Sequence, residues 1–527
     1  MKPEIRTLVD ISATPAAMQG RADMVLERAR WASSVFRRYD RAATMAIVEA
    51  VAAAAHENAG RYADWAVEET GFGVAAHKKI KNELTAKPLV DFYRDADFVN
   101  PRVDAARRIV ELPVPAGVIF ALAPSTNPIS TLNYKVLLSM MTRNAIVFSP
   151  HPAAKACCVD AAGTLMEAAR AAGAPDAVIQ IIDQPTIPMV EAFMRSPKTN
   201  VILATGGTAM VRAAYSSSNP AVGVGPGNAP VYVDPGAEIQ KAAKRIVDSK
   251  SFDNSILCTN ESVLITLPEA ERQLAQAMKA AGAYLCSEEE TGRVRRFLFH
   301  ERGFNVEAIG RDATWIAQEC GLRVPANTRI LMAPIGQIGV EEKLSREKLC
   351  PVLAFHVAKN REQAMAQARA VLMLSGAGHS AAIHASDERV VMRYAAAVPA
   401  YRVVVNAPCS QGAAGFATNL APSFTIGTGY WGKSSVGENI GPQHLVHWQR
   451  IAYANDPGEV FGNFEGLSPG FEGPLPEAPS DGVPGSPRPA RRGGAVAGGA
   501  GTGGIDGASR EELRRLIAEE LRDLLKK

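Results

Sequence analysis

Short apolar runs alternate with amphipathic segments along most of the chain from Gly117 onward. The first runs lie at residues 118–122, 145–148, 178–182, 201–203 and 231–233. Residues 153–172, between two of these runs, have helical periodicity. Parallel strands need long crossover connections, usually helices, and strands covered on both faces are apolar throughout. The pattern therefore predicts a parallel α/β sheet.

A second set of apolar runs follows at residues 263–266, 352–356, 380–384 and 402–405. We expect two α/β lobes that share one cleft. Residues 20–95 have apolar positions at helical spacing and predict several supporting helices. Residues 107–115 alternate in polarity and contain prolines, which suits an edge ribbon better than a central strand.

The composition changes sharply near residue 466. Residues 466–508 are mostly Gly, Pro, Ala and Ser, which predicts a flexible linker. Residues 509–527 then predict an amphipathic helix that begins with a capping box, Ser509 and Glu512. This helix either folds back on its own body or docks on another protein, and the long linker favours docking.

The overall charge and the cysteines exclude several classes of protein. A net charge of +3 with 21% charged residues implies neither a nucleic acid nor an anionic membrane as partner. The seven cysteines include no CxxC pair, so we expect neither a disulfide framework nor a zinc cage. No signal peptide is visible, and the longest apolar run, residues 114–123, is too short to span a bilayer. We expect a soluble, intracellular protein without a metal.

One cysteine lies in a small polar turn, Ser251–Glu261, directly before an apolar run. A thiol on such a turn can be exposed and activated as a nucleophile. The alternative is an inert buried cysteine, which is the commoner state of a free cysteine. Cys258 is therefore a candidate nucleophile that needs support from other segments.

Three polar or glycine-rich segments follow predicted strands. Asn127, in the segment 123–128, stands where it can donate to an oxyanion or cap a helix. Residues 204–208 can face a pyrophosphate or form an ordinary turn. The glycine cluster at residues 223–228 implies that the backbone passes close to another group. Residues 427–434 match the phosphate-loop spacing, but no helix can follow them, so we reject ATP binding.

Residues 21–454 resemble the aldehyde dehydrogenase superfamily. The likeness is to the acylating, coenzyme A-dependent branch, which includes the dehydrogenase half of the aldehyde/alcohol dehydrogenases and the microcompartment propionaldehyde and acetaldehyde dehydrogenases. The matching segments occur in the same order at residues 124–128, 142–152, 204–207, 223–228, 252–258, 347–352 and 376–380.

The resemblance implies a fold, a site and two cofactors. Cys258 is implied as the nucleophile, Asn127 as the oxyanion donor and Glu347 as a ligand of the nicotinamide ribose. His379 either helps the transfer to the thiol of coenzyme A or has a structural role. The residues implied to line the NAD cleft are Pro124, Ser149, His151, Pro152, Thr205, Gly206, Gly207, Thr208 and Gly225.

One position departs from the hydrolytic members of the superfamily. Those members carry a glutamate base at the position of Gly223, 35 residues before Cys258 (258 − 223). Without this base, the thioester on Cys258 should wait for a thiol instead of water. We therefore expect oxidation of a short aliphatic aldehyde to an acyl-CoA, with propionaldehyde first and acetaldehyde second. The alternatives are a hydrolytic enzyme that makes free acid and an inactive scaffold.

The resemblance also implies a division of the chain. Residues 1–228 form a cofactor-binding lobe with the N-terminal helices, residues 229–410 a catalytic lobe, and residues 411–465 a return to the cofactor lobe that serves oligomerisation. The tail looks like an encapsulation peptide, so shell proteins are expected partners and a bacterial microcompartment in the cytoplasm the expected location. A homodimer or homotetramer is expected, with residues 107–115 and 424–426 as interface strands.

Overall fold

Five helices precede the first strand and cover one side of the molecule. The computed structural model describes residues 14–464, apart from 302 and 457, and the isolated positions 466, 467, 469, 474 and 479. The side chains of Thr14 and Asp40 accept hydrogen bonds from the first turns of the first two helices and so set where these begin. The helices are α1 (Pro15–Phe36), α2 (Arg41–Glu57), α3 (Ala59–Thr70), α4 (Ala75–Leu84) and α5 (Lys87–Phe92).

A three-stranded antiparallel ribbon stands apart from the two larger sheets. It consists of β1 (Arg102–Asp104), β2 (Ile109–Pro115) and β17 (Val446–Ala452), the last strand among the described residues. The predicted ribbon is confirmed, but β2 lies in its middle and not at its edge. β1 pairs only with residues 109–111, so Pro113 and Pro115 lie where that side of β2 has no partner in the ribbon.

The first large sheet is parallel and has five strands in the order β5-β4-β3-β6-β7. Its strands and helices are β3 (Val118–Leu122), α6 (Pro128–Met141), β4 (Ala145–Ser149), α7 (Lys155–Ala171), β5 (Ile179–Ile181), α8 (Ile187–Arg195), β6 (Val201–Thr205), α9 (Thr208–Tyr215) and β7 (Ala221–Val224). Buried residues of α1, α2 and α6 join β3 and β4 in one hydrophobic core. The predicted α/β architecture is confirmed.

The second large sheet is parallel and has seven strands in the order β10-β13-β14-β9-β8-β15-β16. Its strands are β8 (Ala229–Val233), β9 (Glu261–Thr266), β10 (Ala283–Leu285), β13 (Ile330–Pro334), β14 (Val352–Val357), β15 (Gly378–His384) and β16 (Ala400–Val405), beside a small hairpin of β11 (Phe299–His300) and β12 (Gly303–Phe304). Its helices are α10 (Ile239–Ser251), α11 (Pro268–Ala280), α12 (Glu288–Leu298), α13 (Ala313–Glu319), α14 (Arg361–Leu374), α15 (Glu388–Ala397) and α16 (Cys409–Ala413).

The C-terminal segments differ from the expectations in one respect. Residues 424–426, expected as an interface strand, form no strand: only Ile426 makes an isolated bridge, to Asn439. The predicted helix 509–527 lies outside the described residues, as does the linker 466–508 apart from its five isolated positions. In the part of the chain that the structure describes, no helix has the length and apolarity needed to cross a membrane.

Candidate active site

A cavity of about 240 Å³ lies where the carboxyl ends of β3, β4 and β6 meet the segment before β9. β3 has β4 on one side and β6 on the other, so the connections of the first sheet diverge at this point. Ligands of open α/β sheets bind in the crevice at such a switch point. The cavity therefore takes its place from the strand order.

Cys258 lies in this cavity, at the end of a strained turn. Three consecutive residues before it, Asp253, Asn254 and Ser255, have left-handed backbone conformations with φ of 50°, 51° and 64°. Non-glycine residues adopt this conformation rarely, and it concentrates at functional sites. Cys258 is half-buried, whereas the other six cysteines are buried. The partial exposure of Cys258 therefore favours the nucleophile over the inert alternative.

The glycine cluster explains how the Cys258 backbone is held. A Cβ on Gly227 would lie 1.9 Å from the carbonyl oxygen of Cys258, so only glycine allows this approach. The expected close passage of the backbone at residues 223–228 is confirmed, and its partner is the backbone of Cys258.

The thiol is less activated than its sequence context suggests. The pKa of Cys258 is raised to about 12, chiefly by burial and to a smaller extent by the nearby carboxyl of Glu347. The backbone amide of Cys258, which donates to its own sulfur, and the guanidinium of Arg402 lower this pKa to a smaller extent. The desolvating walls that make the cavity suitable for a reaction also favour the neutral thiol.

Arg402 is buried near this site and links several backbone segments through hydrogen bonds. Its guanidinium donates to the carbonyl oxygens of Gly378, His379, Gly427 and Gly437, and to Oδ1 of Asn439. One side chain therefore joins the start of β15 to two later loops.

Asn127 lines the same cavity and does not act as a side-chain helix cap. It precedes α6, but its side chain makes no capping hydrogen bond there. Its Oδ1 accepts from Nζ of Lys81 at 2.5 Å, and its Nδ2 donates to Oγ1 of Thr126 at 3.1 Å. Of the two roles that the sequence allows, the geometry favours the oxyanion donor.

The sequence did not indicate a role for two lysines near Asn127. Lys78 and Lys81 of α4 are buried and pair with the buried carboxylate of Asp253. Burial lowers the pKa of both lysines, and that of Lys81 falls to about 7, while Asp253 opposes the shift. Burial also opposes ionisation of Asp253, but the two lysines outweigh it and its pKa is lowered. The sequence signal is only the i, i+3 spacing of two lysines, which is equally typical of a solvated helix face.

Glu347 lines the cavity beside Cys258. Its Oε1 accepts a hydrogen bond from the backbone amide of Gly227 at 3.1 Å. Burial raises its pKa to about 8, while the Gly227 amide and Lys250 oppose the shift. Near neutral pH, Glu347 is therefore mostly protonated and does not add a full negative charge next to the thiol.

No side chain fits at Gly223. A Cβ there would lie 2.6 Å from Cγ1 of Val211 and 2.9 Å from Cε2 of Tyr215. The Tyr215 hydroxyl also accepts from the Gly223 amide at 2.9 Å, so α9 packs directly on this strand. The space next to Gly223 that a Cβ would need is filled by the side chains of Val211 and Tyr215.

The segments expected to bind a dinucleotide border the cavity. Its lining includes Pro124, Ser149, His151, Pro152, Thr205, Gly206, Gly207 and Gly225. Thr208 does not line it but is the first residue of α9. The first turn of α9 has no side-chain cap, since its N-cap is Gly207. By contrast, Glu69 accepts from the amides of Ala156 and Cys157 in the first turn of α7, at 2.7 and 2.8 Å.

The N-termini of α9 and α7 differ in whether their amides can bind a phosphate group of a dinucleotide. Free amides at a helix N-terminus bind phosphate groups well. At α9 the amides are available and glycines border the cavity, whereas at α7 a carboxylate of the chain occupies them. The residues present therefore fit a dinucleotide with its pyrophosphate at α9.

His379 is not brought to the cavity. It is fully buried, and its Nδ1 lies 3.0 Å from Oγ of Ser380. Burial lowers its pKa to about 3, with Arg402 adding to the shift. Its Nε2 is buried without a hydrogen-bond partner among the described residues.

The segment with phosphate-loop spacing is ordinary structure, and His444 pairs with a side chain of the protein. Residues 427–434 contain a short 3-10 turn, Tyr430–Gly432, and no helix follows it before residue 442. Nε2 of His444 lies 2.9 Å from Glu438. Across the described positions, no group of three or more His, Cys, Asp or Glu side chains is arranged to hold a metal ion.

The sequence is similar to those of known proteins. Residues 6–289 match the model of the aldehyde dehydrogenase family. An aldehyde-alcohol dehydrogenase of Clostridium acetobutylicum is 39% identical over 393 residues, which are 73% of this chain and 45% of that protein. The chain thus spans about half the length of such curated relatives.

Two solved structures extend the comparison. An acetylating aldehyde dehydrogenase from Geobacillus thermoglucosidasius has a TM-score of 0.83 at 38% identity, and the match covers 86% of this chain and 100% of that one. A propionaldehyde dehydrogenase from the fucose utilisation bacterial microcompartment of Clostridium phytofermentans has a TM-score of 0.74 at 28% identity, covering 82% of this chain and 97% of that one. With its two parallel sheets and its cysteine at their junction, this chain belongs to the aldehyde dehydrogenase family.

Proposed function

We propose that this chain oxidises a short aliphatic aldehyde to its coenzyme A thioester through a covalent thioester on Cys258. The observation that carries the proposal is a cavity that holds Cys258 and Asn127 while Gly223 has no room for a glutamate base. Propionaldehyde is the first candidate substrate and acetaldehyde the second. The similarity to an acetylating and to a propionaldehyde dehydrogenase supports this choice.

The first step forms a bond between the Cys258 sulfur and the aldehyde carbon. The sulfur attacks as the thiolate, and the carbonyl oxygen becomes an oxyanion. Nδ2 of Asn127 and the backbone amide of Cys258 are the two donors proposed to stabilise it. Such donors are worth about 10²- to 10³-fold in rate when their direction is fixed in advance.

A bound nicotinamide dinucleotide, for which we propose NAD, supplies the acceptor for the hydride. The chain's part is to place this cofactor: the amides of the first turn of α9 would hold the pyrophosphate, and Glu347 would hold the nicotinamide ribose. His151 and Pro152, which follow β4 and line the cavity, would also contact the dinucleotide.

The second step releases the acyl group. The thiolate of coenzyme A attacks the thioester carbon, the same two donors hold the new oxyanion, and the carbon–sulfur bond to Cys258 breaks. Cys258 leaves as the thiolate and is ready for the next aldehyde. The full burial of His379 favours its structural role over direct help in this step.

The deciding experiment measures NADH formation from propionaldehyde and NAD, with and without coenzyme A. We expect steady turnover only when coenzyme A is present, and none in Cys258→Ala. Equal turnover of the wild-type protein without coenzyme A would identify the hydrolytic alternative. A wild-type protein that makes no NADH under either condition would support the scaffold alternative.

We further propose that the chain is cargo of a bacterial microcompartment in the cytoplasm, as a homodimer or homotetramer. Residues 509–527 are the proposed contact with shell proteins, and the similarity to a microcompartment propionaldehyde dehydrogenase supports the idea. Fusing these residues to a fluorescent protein tests it in cells that make shells. Punctate fluorescence is expected, and diffuse fluorescence contradicts the proposal.

A further inference from the structure

Two buried ammonium groups lie behind the wall of the cavity. Lys78 and Lys81 are 3% and 2% exposed, and both contact the carboxylate of Asp253, which is 0% exposed. When both lysines are protonated, one carboxylate faces two positive charges. Because removing charges from water costs free energy that such pairs rarely recover in full, stability alone does not explain this cluster.

The contact between Lys81 and Asn127 fixes the direction of the Asn127 amide. While Lys81 is protonated, it can only donate hydrogen bonds, so the Asn127 atom that faces it must be the amide oxygen. Nζ of Lys81 lies 2.5 Å from Oδ1 of Asn127. The NH₂ end of this amide must then point away from Lys81, and one of its hydrogens remains after the bond to Thr126.

The same ammonium group is tied to the turn that carries the nucleophile. Lys81 pairs with Asp253, the first of the three left-handed residues before Cys258. The other oxygen of Asp253 accepts from the amide of Val74 at 2.7 Å, which anchors the turn to the start of α4. Lys81 therefore contacts both halves of the site, the oxyanion donor and the nucleophile turn.

We propose that Lys81 is a positioning residue of the oxyanion hole: it directs the NH₂ group of Asn127 into the cavity and holds it in register with the Cys258 turn. Lys81 touches no substrate and acts through Asn127. A cation on Oδ1 also polarises the amide, which strengthens Nδ2 as a donor to a negative oxygen. This inference rests on the proposed function, since it concerns the oxyanion of that reaction.

A double-mutant cycle tests the coupling. Lys81→Met should lower kcat for aldehyde oxidation by about 10- to 100-fold, with KM for the aldehyde changed by less than about threefold, because the lost contact acts in the transition state. In an Asn127→Ala background, the same substitution should cost less than about threefold, because the amide that it positions is gone. An equal loss in both backgrounds would overturn the proposal.

Lys78→Met is the matched control. It removes a neighbouring buried lysine from the same carboxylate, but Lys78 donates to the backbone oxygen of Thr126 and to Asp253, and not to the Asn127 side chain. Its loss in kcat should be equal in the wild-type and Asn127→Ala backgrounds. If it shows the same dependence on Asn127 as Lys81→Met, the effect belongs to the cluster in general, and the assignment to Lys81 is wrong.

A crystal structure of Lys81→Met gives a readout that does not depend on turnover. The proposal expects the Asn127 side chain to leave its present rotamer or to occupy two; an unchanged, fully ordered Asn127 contradicts it. Should this variant not fold, Lys81→Gln takes its place, because Gln can donate to Oδ1 but lacks the charge. It should retain the rotamer with a smaller loss of kcat. A wild-type protein without coenzyme A-dependent turnover would count against the proposed function, while the crystal structure would still decide the positioning.

Discussion

Cys258 is partly exposed to solvent, but its thiol does not ionise readily. It is half-buried, yet burial raises its pKa to about 12, with Glu347 as a second cause. A cysteine of this kind is not a permanently activated thiolate. The thiolate that the reaction needs is therefore scarce in the free protein at neutral pH.

This state predicts a simple pH profile for the alkylation of Cys258 by iodoacetamide. Below its pKa, the thiolate fraction rises about tenfold for each pH unit, so the rate in the free protein should keep rising from pH 7 to pH 10 without a plateau. Cys258→Ala is the control, and it should abolish the labelling because the other six cysteines are buried. A plateau below pH 9 would mean that the thiol is activated after all.

Glu347 offers a matched variant for the same measurement. Burial raises its pKa to about 8, so the carboxyl loses its proton as the pH passes that value and then opposes the thiolate more strongly. Glu347→Gln should therefore be alkylated faster than the wild-type protein above pH 8. Below pH 7 the two rates should converge.

At the scale of elements, the packing of α9 on β7 limits which residues can replace Gly223. Introducing Glu there should not create hydrolysis, because even its Cβ would lie 2.6 Å from Val211. The overpacking should lower the free energy of unfolding by about 1–3 kcal/mol. Urea unfolding and a chromatographic assay for the free acid check the two outcomes.

Gly225 provides the control for this substitution. A Cβ there meets no atom within 4 Å, so Gly225→Ala should change the free energy of unfolding by less than about 0.5 kcal/mol. Appearance of free acid in Gly223→Glu would show that α9 can move away from β7.

Some elements were predictable from the sequence and others were not, for physical reasons. β3, β4 and β8 are buried at every position and almost entirely apolar because both faces are covered, and such runs stand out. β7 was missed because it is short and contains Gly223, which weakens the strand pattern. The hairpin of β11 and β12 has strands of two residues each, too short to give any pattern.

The site divides in the same way. Cys258, Asn127 and the glycines could be found because they lie in polar or glycine-rich turns next to predicted strands, whereas Glu347 was found only through the family resemblance. The role of Lys81 depends on Asp253, 172 positions away in the chain, and no local pattern reports that contact. The raised pKa of Cys258 depends on desolvation, which exists only once both sheets have packed.

At the scale of the whole molecule, the cavity draws its walls from segments of both large sheets. A ligand that binds only the folded state stabilises it by about 2.7 kcal/mol at 100 times its dissociation constant. We therefore expect NAD to raise the melting temperature of the whole protein, and a parallel titration with NADP compares the two cofactors directly.

The variant Gly207→Asp tests whether the pyrophosphate binds at the N-terminus of α9. Aspartate suits the N-cap of α9, where Gly207 has φ of −64° and ψ of 163°, so the free protein should be as stable as the wild type or slightly more stable. The new carboxylate would compete with a pyrophosphate for the same amides, so the shift caused by NAD should disappear. A full shift in this variant would place the pyrophosphate elsewhere.

The hydrogen bonds of Arg402 predict how the protein responds to substitutions at this position. One guanidinium joins the start of β15 to Gly427 and to the loop of residues 437–439, and its planar array of donors has no substitute among the other side chains. A missense change at this single codon would detach three distant stretches at once. In a saturation screen, position 402 should therefore behave like an active-site position, although its side chain is buried outside the cavity.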